Sequence, residues 1–162
     1  MKRNIRTFRA MLAIAAMGAC FAAATLSAGE QGVTLPKDFR SWTHTKSMVI
    51  PDKSHGLYGF HNIYANPAAL GALRKGGNFP EGSEMIVSFY EVVVDGGMTT
   101  QGKKLMDAYM KKDNSAAKTG GWVFAAFGPD GQAKAIDPAK DCFECHVNGA
   151  KGTDFVFHKY ID

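Results

Sequence analysis

The chain has little cysteine: three residues in 162, and one of them, Cys20, falls in an N-terminal stretch that reads as an export signal. Two remaining thiols cannot build a disulfide framework, and without a second Cys pair they cannot complete a four-cysteine zinc site. Long amphipathic helical patterns are missing, which argues against a bundle of long helices. No apolar run reaches the ~20 residues that a membrane span needs. Excess charge is missing too, once the signal is set aside. Four of the nineteen Lys and Arg, and none of the fifteen Asp and Glu, lie in residues 1–28. A balanced remainder gives no electrostatic case for nucleic-acid binding.

The signal itself has three parts. Lys2, Arg3, Arg6 and Arg9 form a basic start, Ala10 to Ala24 an apolar stretch, and Leu26-Ser27-Ala28 a small-residue cleavage point before Gly29. Met17-Gly18-Ala19-Cys20 departs from a lipoprotein box, because a branched aliphatic belongs where Met17 stands. The reading is a signal peptide over 1–28, a periplasmic product without a membrane span, and one domain over 29–162.

One pentapeptide outweighs the rest: Cys142-Phe143-Glu144-Cys145-His146. Cys-x-x-Cys-His is the attachment signature of c-type haem. Both thiols add across the porphyrin vinyl groups and the imidazole binds iron. On a helix, residues three and four apart share a face, so Cys142, Cys145 and His146 can all address one porphyrin edge. A thioredoxin-like pair would want a strand–helix–strand setting, which is not present here. The expected cofactor is therefore one haem c, held through Cys142 and Cys145, with His146 on the metal.

The punctuation predicts a β-dominated α+β domain: an antiparallel sheet with a few short helices. Strands are expected over 44–50, 60–64, 85–94 and 122–127. Asn66-Pro67 starts a helix and Gly76-Gly77 ends it. Residues 105–111 fit strand or helix equally, since Met106 and Met110 are four apart. Asp137-Pro138 starts the helix that carries the cysteines, and 154–160 is an aromatic tail packing back on the sheet.

These segments resemble a known family, the cytochrome P-460 and cytochrome c′-beta group. The resemblance rests on Ser41-Trp42-Thr43-His44, Lys46-Ser47-Met48-Val49-Ile50, His61-Asn62-Ile63-Tyr64-Ala65-Asn66-Pro67 and Phe79-Pro80-Glu81-Gly82-Ser83. It continues through Thr119-Gly120-Gly121-Trp122, the haem motif and Asp154-Phe155-Val156-Phe157, and so runs along nearly the whole chain after the signal. It implies a small exported haem protein, mainly β, commonly a homodimer, with Phe79 of the Phe-Pro-Glu-Gly turn among the cofactor contacts. P-460 members carry a lysine on the following strand, cross-linked to the porphyrin, and oxidise hydroxylamine. The c′-beta members commonly carry phenylalanine there, over an open iron that binds nitric oxide or carbon monoxide. The matching position in this chain is Val87, and no lysine occurs between Lys75 and Lys103.

The sixth iron position decides between functions. Met85 lies two residues before Val87, so on a strand both point to one face. Its thioether is the favoured ligand, and a His/Met pair would make an electron carrier serving small redox proteins. An open position would instead make a binder of diatomic gas, and hydroxylamine oxidation is the third reading. Val87, Ala125 and Phe127 are expected to form an apolar distal wall. Met48 reads as packing and Met98 as surface. His44 and His61 read as structural histidines, His61 also as a propionate contact, and Arg40 and Arg74 as possible propionate partners.

Overall fold

The structure, a computed structural model, describes residues 32–157 and 159–161. The expected signal segment therefore lies outside the described residues, as does His158. Six strands form one antiparallel sheet in sequence order: β1 (Thr43–Ile50), β2 (Gly59–Ala65), β3 (Glu84–Asp95), β4 (Met98–Lys112), β5 (Trp122–Phe127) and β6 (Ala133–Lys134). Two short helices, α1 (Pro67–Lys75) and α2 (Glu144–Ala150), complete a β-dominated α+β fold. Among the described residues no helix is long and apolar enough to cross a membrane.

Helix α1 begins and ends where its punctuation says. The Asn66 side chain accepts from Ala69 N at 2.9 Å, Pro67 takes the first helical position, and Gly76 closes the helix in the left-handed conformation at φ 66°. Asn66 also ties the helix to the sheet. Its amide donates to Gly82 O at 2.9 Å, and its oxygen accepts from Glu84 N at 3.1 Å.

The ambiguous 105–111 segment is strand, the second half of β4. Two neighbours settle it: Met110 pairs with Met85 on β3 and with Phe124 on β5. The β3–β4 hairpin turns on Gly96 and Gly97, both at positive φ, as a two-residue hairpin loop requires.

Each face of the sheet carries its own core. On the first, Ile63, Ala65, Met85, Met110, Trp122 and Phe124 pack under Ala69, Ala72 and Leu73 of α1 and against Val156. On the second, Ile86, Tyr109 and Phe127 pack under Phe39, with Val33, Leu35 and Trp42 alongside. Strand alternation assigns every side chain to one face or the other.

Candidate haem-binding site

The two thiols and the imidazole stand on a helix that is not uniform. Residues Pro138–Phe143 form a π-helical turn, with the Asp137 side chain accepting from Ala139 N and Lys140 N, and α2 follows at Glu144. Cys142 is therefore the last-but-one residue of the wide turn, whereas Cys145 and His146 belong to the α-helix. Cys142 is half-buried and packs against the first-face core, and Cys145 is exposed. Both are free thiols. Burial, then the neighbouring Asp141 and Cys145, pushes the Cys142 thiol up to about 11. Beside Cys145 opens a cavity of about 540 Å³, bordered also by Lys140, Glu144, Asn148, Gly149 and Phe157.

His146 is held from three sides. Its Nδ1–H donates to Phe155 O at 2.6 Å, because a carbonyl can only accept. Its ring lies 5.1 Å from Phe124 and 4.9 Å from Phe157, centroid to centroid. Burial moves its pKa down, against the opposing pull of the Phe155 carbonyl, and this net lowering favours the neutral imidazole that a metal requires. With Nδ1 committed, Nε2 is the nitrogen left for iron. These residues fit a haem c: two free thiols at the attachment spacing and an oriented, neutral imidazole beside them. Among the described residues no group of three or more His, Cys, Asp and Glu gathers to hold a metal ion directly.

Helix and sheet are joined closely here. Phe143 lies 5.0 Å from the Phe155 ring and 6.2 Å from Phe124. Both Phe143 and Phe155 crowd Gly120, where a Cβ would sit 2.5 Å from one ring and 2.9 Å from the other. Gly120 also has φ 66°, so the Gly-Gly-Trp stretch needs its glycine twice over.

The remaining sequence candidates fall out by face. Met85 and Val87 share the first face, the face against which Cys142 packs. Met85 is enclosed in the core at 3 % exposure, whereas Val87 is half-buried. Phe79 is buried at the end of the same core, edge-on to Trp122 at 5.5 Å. Ala125 and Phe127 require a correction. They pack in the second-face core with Ile86 and Tyr109, so they form no wall with Val87. The register gives the reason: Val87 pairs with Ala108, and Ala108 pairs with Ala126. Ala126 and Phe124, not Ala125 and Phe127, share the face of Val87.

His61 belongs to that face as well, at 2 % exposure, 4.2 Å from the Phe89 ring and bonded through Nε2 to Leu57 O at 2.9 Å. The alternation of His61, Ile63 and Ala65 on β2 is the sequence signal that could have placed it there. Arg40 bonds Tyr90 Oη at 2.8 Å, and Arg74 lies 4.9 Å over the Tyr160 ring. His44 lies 3.1 Å from Ser47 Oγ, and Met48 and Met98 are exposed.

Two residues went unnoticed in the sequence. Lys112 and Asp154 form a nearly buried ion pair at 2.7 Å, each side chain 11 % exposed. Asp154 stands in the Asp-Phe-Val-Phe segment that carries the resemblance, but nothing in the sequence pairs it with a lysine 42 positions away.

The family model described as cytochrome P460 matches residues 36–158. No curated protein matches the chain.

Proposed function

Because the chain belongs to the cytochrome P460 family and with it to the haem c proteins, we propose an exported protein in which Cys142 and Cys145 tether one porphyrin and His146 Nε2 holds its iron. The other axial position is open and takes a neutral diatomic ligand such as nitric oxide or carbon monoxide. The single observation that carries the open position is the enclosure of Met85. At 3 % exposure, Met85 packs in the core with Ala65, Leu73, Phe79 and Met110. Val87, one pleat further along the same face, brings no ligating atom. The Val87 side chain supplies no hydrogen bond to a charged or superoxide-like ligand, and it tolerates neutral gases.

The shared face of Met85 and Val87, in the core against which Cys142 packs, favours a second reading, a His146/Met85 electron carrier. The oxidised spectrum at neutral pH separates the two. High-spin iron, and prompt carbon monoxide binding on reduction, is the expected result. A low-spin spectrum with a long-wavelength sulfur-to-iron band would instead establish the carrier. The same family reading carries a homodimer. The apolar tip of the β3–β4 hairpin, where Val94 and Met98 are 71 % and 67 % exposed, is a surface suited to joining two copies.

A further inference from the structure

The segment that orients His146 is held in an unfavourable conformation, and the residues that hold it come from the far side of the chain. Asp154 and Phe155 are consecutive non-glycine residues at positive φ, 50° and 64°. Such a pair is costly for β-carbon-bearing residues and persists only where the surroundings enforce it.

Three elements do the enforcing. Lys112, the last residue of β4, donates from Nζ to both carboxylate oxygens of Asp154, at 2.7 and 2.9 Å. Phe79 N, from the turn before β3, donates to Asp154 Oδ2 at 3.0 Å. Trp122, the first residue of β5, donates from Nε1 to the Asp154 carbonyl at 2.9 Å, and Lys112 Nζ lies 5.0 Å over the same indole. The next carbonyl along the chain, that of Phe155, is the one that takes the His146 proton donor at 2.6 Å.

We infer that Lys112, Asp154 and Trp122 form a clasp that positions the Phe155 carbonyl, and through it sets the orientation and donor strength of the His146 imidazole. None of the three touches the imidazole; they are positioning residues. A carbonyl held firmly against Nδ1–H gives the ring more imidazolate character and makes Nε2 a stronger donor. If the clasp slackens, Asp154 and Phe155 relax toward ordinary backbone angles, the carbonyl swings away and that donation weakens. Stronger donation stabilises ferric iron, so weaker donation raises the reduction potential. The inference rests on His146 being the iron ligand, and it holds whichever way the opposite axial position is filled.

The test uses the haem-loaded protein and the variants Lys112→Met, Lys112→Arg and Trp122→Phe. The readouts are the midpoint reduction potential and the iron–histidine stretching band of the ferrous protein just after carbon monoxide photolysis. Lys112→Met is expected to raise the potential and lower the band frequency, and Lys112→Arg to restore both toward wild type. Trp122→Phe keeps an aromatic ring at this buried position, removes the Nε1 donor along with part of the indole, and should move both readouts in the same direction as Lys112→Met. It keeps the inference refutable should Lys112→Met fail to fold. Variants that melt earlier yet keep the wild-type potential and band would overturn the inference and leave the clasp purely structural. A colourless wild-type protein would overturn the haem reading beneath it.

Discussion

Truncating Met85 to alanine separates packing from ligation, because the two roles leave different marks. The side chain is 3 % exposed and lies among Ala65, Leu73, Phe79, Met110 and Phe124. Removing everything beyond Cβ from such a site costs about 2–5 kcal/mol, transfer and cavity terms together. At roughly 2–4 °C per kcal/mol for a domain near this size, the melting temperature should fall by about 4–20 °C. Met85→Leu keeps volume and hydrophobicity, so its cost should stay below about 1.5 kcal/mol. A packing residue predicts that graded loss of stability with no change in the oxidised spectrum of either variant. Denaturant unfolding followed by tryptophan fluorescence, paired with visible spectra of the same samples, reads both quantities. If Met85→Leu were nearly as stable as wild type yet converted a low-spin spectrum to a high-spin one, the core assignment would be wrong and the sulfur would be on the iron.

Gly120→Ala should be severe, because the new methyl meets the Phe155 and Phe143 rings at 2.5 and 2.9 Å in a backbone conformation that disfavours any β-carbon. A lower melting temperature and a lower ratio of haem to protein absorbance are expected, and wild-type values for both would refute the crowding argument. Burial of His61, opposed by its bond to the Leu57 carbonyl, moves its pKa below the ordinary value. The unfolded chain then binds the proton more readily, so this contribution is complete above the ordinary histidine pKa of about 6.5 and is lost as pH falls below it. Urea midpoints measured from about pH 5 to 7 should rise with pH, and His61→Gln should flatten that slope; an unchanged slope would point to another group.

Much of this architecture could be read from the chain because its local and tertiary preferences agree. Asn66-Pro67 and Gly76 bracket α1, and the β-branched run of β3 and the apolar run of β5 are strands on any reading. The Cys-x-x-Cys-His spacing predicts one helical segment for Cys142, Cys145 and His146, and the structure has them there. The rest was hidden for identifiable reasons. The first half of β4, from Met98 to Lys104, is largely exposed in a hairpin that outreaches its neighbours, so it carries no apolar alternation. The second half was ambiguous until its neighbours were known, since a spacing of four fits a helical face and a strand face alike. Ala125 was assigned to the wrong side because a one-residue difference in parity exchanges the faces of a strand. The π-helical turn before Cys145 and the left-handed pair at Asp154 and Phe155 leave no mark in composition at all. The left-handed pair is held by Phe79, Lys112 and Trp122, all distant in sequence.

The wiring of the sheet also bears on the order in which the molecule matures. Every strand pairs with its sequence neighbour, so the platform zips up through short closures that lose little chain entropy. The hydrogen bond that closes the longest stretch of chain among those described belongs to the carboxy-terminal segment. Phe79 meets Asp154 across 75 positions and Lys112 meets it across 42. That segment is the natural subunit for independent opening. In the proposed haem protein, the chain would thus offer Cys142 and Cys145 beside a finished scaffold, and docking of the carboxy-terminal segment would be the final act of folding.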